Sequence, residues 1–330
     1  MRVGVIGAGA VGGAIAALLA RAGHEVEVTA RGAHLDAIRE HGIRLTGAWG
    51  DYTAIVEAGE SLSHGPELAI VATKAQDARA AIRENIALLR GIPLLVVQNG
   101  LDGVAIAREA APRSDVVGAL AMYATSYLSP GTITITTTGP TYIGGGSGEH
   151  DVPARYIARV LAEAMPVQIV SNFEGAQWTK LVVNQVNALP AITGLSVQDV
   201  IRHAGLRRIM TASMRENVRI GVRNGVRFEK LQGLSHRGLR LFAAMPLWIG
   251  QLLPMLMSAR IGKTPNPGST LQSIRRGQAT EIDYLNGAVV RAAENVGVTA
   301  PVNDLLVMLV HEVERNGAFL ATSEVVDRSR

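Results

Sequence analysis

Lys180, Asn184 and Asn187 recur in the stretch Trp178-Thr179-Lys180-Leu181-Val182-Val183-Asn184-Gln185-Val186-Asn187 at a spacing that one helix would gather onto one face. At about 100° per residue the three fall within roughly 60° of arc. Their neighbours Leu181, Val182, Val183, Val186 and Leu189 are apolar, so the helix is expected to be buried on several sides. An unpaired polar group buried there costs roughly 2 to 7 kcal/mol, and a water-filled cleft holding a polar, anionic substrate would supply the partners. Desolvation would also lower the lysine pKa toward a range useful for proton transfer. A solvated helix face is the alternative. A second polar group comes late: Ser269 in NPGSTLQS, then Thr280-Glu281-Ile282-Asp283. At a helix start Glu281 either interacts favourably with the helix dipole or pairs Lys180 and orients bound reactants.

The other chemistry-bearing residues follow short apolar runs. Val3–Ile6 leads into Gly7-Ala8-Gly9-Ala10-Val11-Gly12 and then a helical stretch. Glycines at this spacing permit a tight turn, let the backbone approach a pyrophosphate and allow close helix–strand packing. The position of the motif, between a strand and a helix in a βαβ-length unit, points to a dinucleotide site, with a structural Gly-rich turn as the alternative. Sites that prefer the 2′-hydroxyl form place an acid about 20 residues on. Here Val28-Thr29-Ala30-Arg31 offers Arg31, whose guanidinium suits a 2′-phosphate, so NADP(H) is the expected cofactor; an ordinary surface arginine is the alternative. Lys74 follows LAIVAT, and Gln98-Asn99-Gly100 follows LLVV, both at the carboxyl ends of strands where such sheets bind ligands. Asn99 suits a carboxamide or a substrate oxygen and Lys74 a phosphate or ribose; loop capping is the alternative for both.

These residues need a particular scaffold. Val3–Ile6, Glu25–Thr29, Leu68–Ala72 and Leu94–Val97 read as buried strands, with Val11–Ala22 helical between the first two, which predicts a parallel sheet covered by helices. Residues 131–146 alternate like a strand with Gly/Pro turns and read as an antiparallel extension. Gly144–Gly148 with His150 and Asp151 reads as a loop, and Val167–Val170 as the last strand. Beyond them Glu174–Leu189, Leu206–Gly225, Thr280–Val296 and Asn303–Asn316 carry helical spacing, and Thr280 with Asp283 resembles a capping box. Residues 262–269 form a Pro/Gly-rich connection. The expected fold is an α/β Rossmann-type dinucleotide-binding domain over residues 1–172, followed by an all-α substrate-binding and catalytic domain over 173–330.

The 330 residues are 48% hydrophobic and 18% charged, which excludes a disordered chain. Absence of cysteine excludes disulfides, thiolate metal sites and cysteine nucleophiles. The eight histidines show no metal-ligand spacing and no catalytic placement, and no metal is expected. The net charge of +4 conceals a bias: residues 201–280 hold fourteen Lys/Arg and two Asp/Glu. That imbalance points to an anionic partner. Aromatic residues make up only 4% of the chain, against the interleaved aromatics of a nucleic-acid binder. The longest apolar stretch, Leu241–Met257, is interrupted by Pro246, Gly250, Gln251 and Pro254. It reads as a buried helix pair or a subunit contact, and so a homodimer, in preference to a membrane span. The opening MRVGVIGAG lacks the layout of a secretory leader, which gives a cytoplasmic expectation.

Taken together, GAGAVG at 7–12, Arg31, the Lys-Ala-Gln element at Lys74, QNG at 98–100, WTKLVVN at 178–184, TEIDYLNGAVV at 280–290 and VTAPVN at 298–303 resemble the ketopantoate reductase (2-dehydropantoate 2-reductase) family over nearly the whole chain. The resemblance implies NADPH-dependent reduction of a 2-oxo acid to a 2-hydroxy acid in the pantothenate pathway. It assigns Lys180 as general acid toward the developing alkoxide. It makes Asn99, Lys180, Asn184, Asn187 and Ser269 substrate-binding, and places Glu281 near the cofactor and the lysine. Three features depart from the family pattern. Asn187 follows Asn184 by three residues where many members have four, Val197 stands where some have a further asparagine, and Leu231–Lys263 is longer and more apolar. The same chemistry on another 2-oxo acid, or a non-catalytic NADP(H)-binding regulator, are the other readings.

Overall fold

The computed structural model describes residues 1–145, 151–261 and 265–330, with two compact units, Met1–Phe173 and Glu174–Arg330. In the first, β-branched and leucine-rich runs form twelve strands: β1 (Arg2–Ile6), β2 (Glu25–Thr29), β3 (Ile43–Gly47), β4 (Tyr52–Ala54), β5 (Glu57–Gly59), β6 (Leu68–Val71), β7 (Pro93–Val97), β8 (Asp115–Ala121), β9 (Ala124–Ser129), β10 (Thr132–Thr137), β11 (Thr141–Gly144) and β12 (Val167–Ile169). Five helices join them: α1 (Ala10–Arg21), α2 (Gly32–His41), α3 (Ala75–Glu84), α4 (Gly103–Ala110) and α5 (Val152–Ala162). Eight strands make one sheet in the order β12-β11-β8-β7-β6-β1-β2-β5. From β8 to β5 all neighbours are parallel.

Alternation along these strands fills both faces. Leu68 and Ile70, Leu95 and Val97 pack with Val3 and Val5 beneath α1 and α5. Ala69 and Val71, Leu94 and Val96 pack with Ile6 on the opposite face, against Ala78 and Ile82 of α3 and Ala107 of α4. The result is the expected doubly wound sheet, whose order turns back at β1, between β2 and β6. The run 131–146 is not one extension. β10 lies in a second sheet, β4-β3-β10-β9, antiparallel to β9 and parallel to β3. Only β11 joins the main sheet antiparallel, through β8. Gly139 and Pro140 end the first strand, and a side chain at Gly139 would collide with the Met122 carbonyl. β12 closes the edge parallel to β11, as expected. Of the expected loop around 144–151, residues 146–150 lie outside the described residues; Asp151 caps α5, accepting from Ala154 N at 3.1 Å.

The second unit is helical: α6 (Phe173–Asn184), α7 (Ala188–Thr193), α8 (Val197–Arg202), α9 (Ala204–Arg223), α10 (His236–Ala244), α11 (Leu247–Gly250), α12 (Leu252–Ile261), α13 (Gly268–Arg275), α14 (Asn286–Asn295), α15 (Pro301–Asn316) and α16 (Thr322–Arg328), with a 3-10 turn at Ile282–Tyr284. α9 is the centre: α8, α10, α14, α15 and α16 pack on it. Side chains of Ser196, His203 and Ser235 cap α8, α9 and α10.

Three expectations are corrected here. The helix expected over Glu174–Leu189 stops at Asn184, because Pro190 has no N–H to return to Val186 and its ring crowds that carbonyl. The chain instead tightens through i→i−3 bonds at Gln185, Val186 and Asn187 and restarts at Ala188. The helix expected from Thr280 starts at Asn286, after Leu285 leaves helical geometry at φ −104°, ψ −91°. A capping box needs its acid to take the N-cap N–H. Here Glu314 takes the Thr280 N–H at 2.8 Å, and Asp283 turns to His311 at 2.9 Å. Finally, Leu241–Met257 is no buried pair. It breaks at Pro246 and Gln251, and Leu241, Trp248, Leu252 and Leu256 are 64%, 73%, 56% and 66% exposed. Among the described residues no helix is long and apolar enough to cross a membrane.

Candidate functional site

In the first unit, the parallel register brings the carboxyl ends of β1, β2, β6 and β7 to one edge of the sheet. Gly7, Arg31, Lys74 and Asn99 therefore emerge side by side at the point where strand order turns back, the place where such sheets bind ligands. Gly7 takes φ +98°, and a side chain at Gly12 would drive into the Gly7 carbonyl. Both positions need glycine for the turn to close. Gly9 differs: a Cβ there would meet nothing within 4 Å, so the backbone is open to an approaching group. Ala8, Ala10 and Val11 complete the turn into α1, which has no side-chain cap and no acid in its first turn. Its N–H groups and positive dipole end suit a phosphate anion. The residues present fit a dinucleotide pyrophosphate.

Arg31 is the residue before α2, exposed, with one guanidinium nitrogen 3.4 Å from Glu84. Exposed pairs of this kind are worth about 0–1 kcal/mol, little resistance to a competing phosphate. Lys74 and Asn99 are each half-buried, Lys74 as the N-cap position of α3. Gln98 ties the two strand ends together, donating from Nε2 to Thr73 O at 2.8 Å.

Two supporting residues escape a reading of sequence spacing. The Thr29 hydroxyl accepts the Gly7 N–H at 2.9 Å, fixing the turn to β2. His34 Nδ1 accepts from Gly131 N at 2.9 Å, so Nε2 carries the proton and donates to Ala8 O at 2.6 Å. Burial holds the imidazole below its ordinary pKa, against the opposing bond to Ala8. The only sequence signals were a threonine closing β2 and a histidine three residues past Arg31. His64, too, does more than spacing suggests. Its ring and the Glu27 and Glu57 carboxylates bring ligand atoms within 4.8 Å of one another. Glu27 is committed to Ser63 N, Ser63 Oγ and His64 N, at 2.5, 2.6 and 3.2 Å.

In the second unit, α6 carries Lys180, 9% exposed, between buried Thr179 and Leu181. Burial pushes the ammonium down from the ordinary 10.5 to about 8, and the Glu281 carboxylate opposes it. The structure thus brings Lys180 and Glu281 into electrostatic reach. Glu281 is half-buried, and its carbonyl accepts from Tyr284 N at 2.9 Å and Leu285 N at 3.1 Å. Asn184 stays one turn from Lys180 on α6. Asn187 does not share that helix. It is the N-cap position of α7, with Nδ2 donating to Asn184 O at 3.1 Å and Oδ1 accepting from Ser269 N at 3.2 Å. That bond brings Asn187 to Ser269, which is exposed in the first turn of α13. Gly268 (φ +71°) lets the two approach, since a Cβ there would sit 2.6 Å from Asn187 Oδ1.

A doubly wound sheet with a glycine turn at its switch point, joined to a helical unit with a buried lysine, defines a class: the dinucleotide-binding oxidoreductases with an α-helical C-terminal domain. Comparison with known proteins narrows it. The model of the family "Ketopantoate reductase PanE/ApbA" matches residues 3–148, and that of its C-terminal domain matches residues 172–314. The chain belongs to the ketopantoate reductase PanE/ApbA family. The 2-dehydropantoate 2-reductase of Archaeoglobus fulgidus is 27% identical over 95% of this chain and 98% of its own length. The crystal structure of a family member from Ralstonia eutropha JMP134 is 30% identical, with TM-score 0.79, covering 96% of this chain and 99% of that one. D-mandelate dehydrogenase, in a ternary structure with NADH and anilino(oxo)acetate, shares the fold at TM-score 0.80 and 20% identity, with 96% and 99% coverage. The protein is an oxidoreductase of the 2-dehydropantoate 2-reductase family.

Proposed function

We propose that this protein reduces 2-dehydropantoate (ketopantoate) to pantoate with NADPH, with Lys180 as the general acid. The reading rests above all on Lys180: a buried ammonium whose pKa is brought to about 8 beside Glu281. A group so poised is still charged at neutral pH and gives up its proton readily. When bound, the reduced nicotinamide supplies a hydride to C2 of the 2-oxo acid. The carbonyl oxygen then takes its proton from Lys180 Nζ, leaving a neutral amine that solvent recharges. Glu281 favours the charged lysine before each turnover.

The turn Gly7–Gly12, Arg31, Lys74, Asn99 and Glu281 are assigned to the cofactor. Arg31 favours NADP(H), because a guanidinium offers the 2′-phosphate two donors and the 2′-hydroxyl no acceptor. Asn99, Lys180, Asn184, Asn187 and Ser269 are assigned to the substrate, with Asn187 also holding the turn of Ser269. On this reading residues 1–172 serve the cofactor apart from Asn99, which also meets the substrate, residues 173–330 serve the substrate apart from Glu281, and the enzyme works in the cytoplasm. The exposed apolar side chains of α10 to α12 are assigned to a homodimer contact. A bulkier 2-oxo acid is the second reading, favoured by the Pro190 break, which moves the second asparagine off the Lys180 helix.

Lys180→Ala tests the assignment. It should lower kcat by about two to four orders of magnitude, as loss of a general acid does, while NADPH still binds. Near-normal turnover in that variant would overturn the mechanism.

A further inference from the structure

A set of buried amides in the second unit joins the two elements that carry Lys180 and Glu281. Gln185, Ser213, Asn286 and Asn303 are at most 1% exposed. Gln185 immediately follows the last residue of α6, five positions beyond Lys180. Asn286 opens α14, five positions beyond Glu281. Asn286 Nδ2 donates to Gln185 Oε1 at 2.7 Å and to Asn303 Oδ1 at 3.0 Å. Ser213 Oγ, from the middle of α9, donates to Gln185 Oε1 at 2.5 Å and lies 3.0 Å from Asn303 Oδ1. Asn303 is fixed in turn: its Nδ2 donates to Glu216 Oε2 at 2.7 Å, and its backbone N–H to the same oxygen at 2.8 Å. Gln185 is pinned on its own side by Nε2 to Leu181 O at 3.3 Å.

Such a network is not the cheapest way to hold four helices together. Apolar residues of the same volume would avoid the desolvation of the amides, and the Asn286 Oδ1 atom is buried with no partner. What directional bonds add is a fixed geometry. At its broken end α6 passes to α7 through i→i−3 bonds at Gln185, Val186 and Asn187, and the amides fix that end to α9, α14 and α15. The turn holding Glu281 is a single 3-10 turn whose flanking residues Thr280 and Asp283 are tied to Glu314 and His311 of α15, the helix that Asn303 also enters.

We propose that Gln185, Asn286 and Asn303 act as positioning residues, clamping the end of the Lys180 helix to the turn that carries Glu281 and so setting the separation of the two charged groups. The inference rests on the reading of Lys180 as general acid. None of the three touches the reacting atoms; they act through Lys180 and Glu281, the carboxylate whose field bears on that lysine.

The test is Gln185→Met, close to isosteric, which removes the shared acceptor yet leaves Ser213 and Asn286 their second acceptor on Asn303. Asn286→Ala cuts the same link from the other side and serves if the first variant does not fold. Val289→Ala, a buried truncation on the same α14 helix, is the control for simple loss of stability. In the two clamp variants kcat should fall about tenfold or more, as misplacement of a reacting group does, with KM little changed. The alkaline inflection of kcat/KM should move to lower pH, since Glu281 no longer holds the ammonium as firmly. Val289→Ala should lower the melting temperature without moving the inflection. Clamp variants with the wild-type inflection and kcat would overturn the positioning role. If Lys180→Ala itself retained turnover, the reading beneath would fail instead, whatever the clamp variants do.

Discussion

Raising the pH from 7 to 10 should switch the enzyme off in a way that follows Lys180. With a pKa of about 8, the ammonium is roughly nine-tenths charged at pH 7 and one-tenth at pH 9. If Lys180 is the general acid, as proposed, reduction needs the charged form, and kcat/KM for the 2-oxo acid should fall about tenfold over that interval and about tenfold more for each further pH unit. An ordinary lysine at 10.5 would stay charged throughout. The displacement corresponds to about 3 kcal/mol against the charged form, with burial the larger cause and Glu281 opposing it. Stability should move the other way. Between pH 8 and 10.5 the unfolded chain binds this proton and the folded one does not, so the lysine's contribution to stability rises with pH. The assay is NADPH absorbance across the series, with a thermal melt at every pH. Glu281→Gln removes the charge that holds the pKa up and should carry the inflection lower. A flat profile between pH 7 and 9.5, or an inflection that survives in the residual activity of Lys180→Ala, would refute the reasoning.

Arg31→Ala should cost NADPH kcat/KM roughly ten- to hundredfold, the loss of a charge-assisted contact of about 1.5–3 kcal/mol, with NADH little affected; equal use of both cofactors before and after would remove Arg31 from the account. For His34, whose folded pKa is depressed, the contribution to stability is full above its ordinary 6.5 and is lost as pH falls through the folded value. Melting curves of wild type should therefore decline more steeply below pH 6.5 than those of His34→Gln, and identical slopes would contradict burial of the neutral imidazole as its cause. His311 has the opposite sign: burial resists its charge but Asp283 and Glu314 raise its pKa, so its contribution fades as pH rises through the raised value. Trp248→Glu with Leu252→Glu should turn a dimer into a folded monomer in sedimentation; a wild type that stays monomeric at every concentration would end the dimer proposal.

Local signals carried the glycine turn of the first unit. Strand β1, the Gly7–Gly12 turn and α1 are contiguous, so the strand–turn–helix order was visible along the chain. Lys180 and Asn184 were legible for the same reason, one helical turn apart. Asn187 was not, because a period read through Leu189 ignores the missing N–H of Pro190 three residues beyond the amide that has to be placed. Thr280 and Asp283 had the spacing of a capping box but lost their partners to Glu314 and His311, which lie about 30 residues on and win only once α15 is packed. The proposed clamp was not read from the sequence. Asn286 and Asn303 sit at buried phases of helices α14 and α15, yet their partners Gln185 and Ser213 are up to 101 and 90 residues away. Thr29 and His34 acquire their roles only through folding, His34 by reaching Gly131 across 97 positions.

Lysine-centred reduction of a 2-oxo acid by NADPH is tested by following NADPH oxidation by the purified protein with ketopantoate and a panel of other 2-oxo acids. Turnover is expected with ketopantoate, one pantoate formed per NADPH consumed, ahead of bulkier members of the panel. Oxidation of NADPH with none of them would contradict it and leave a dinucleotide-binding protein without this chemistry.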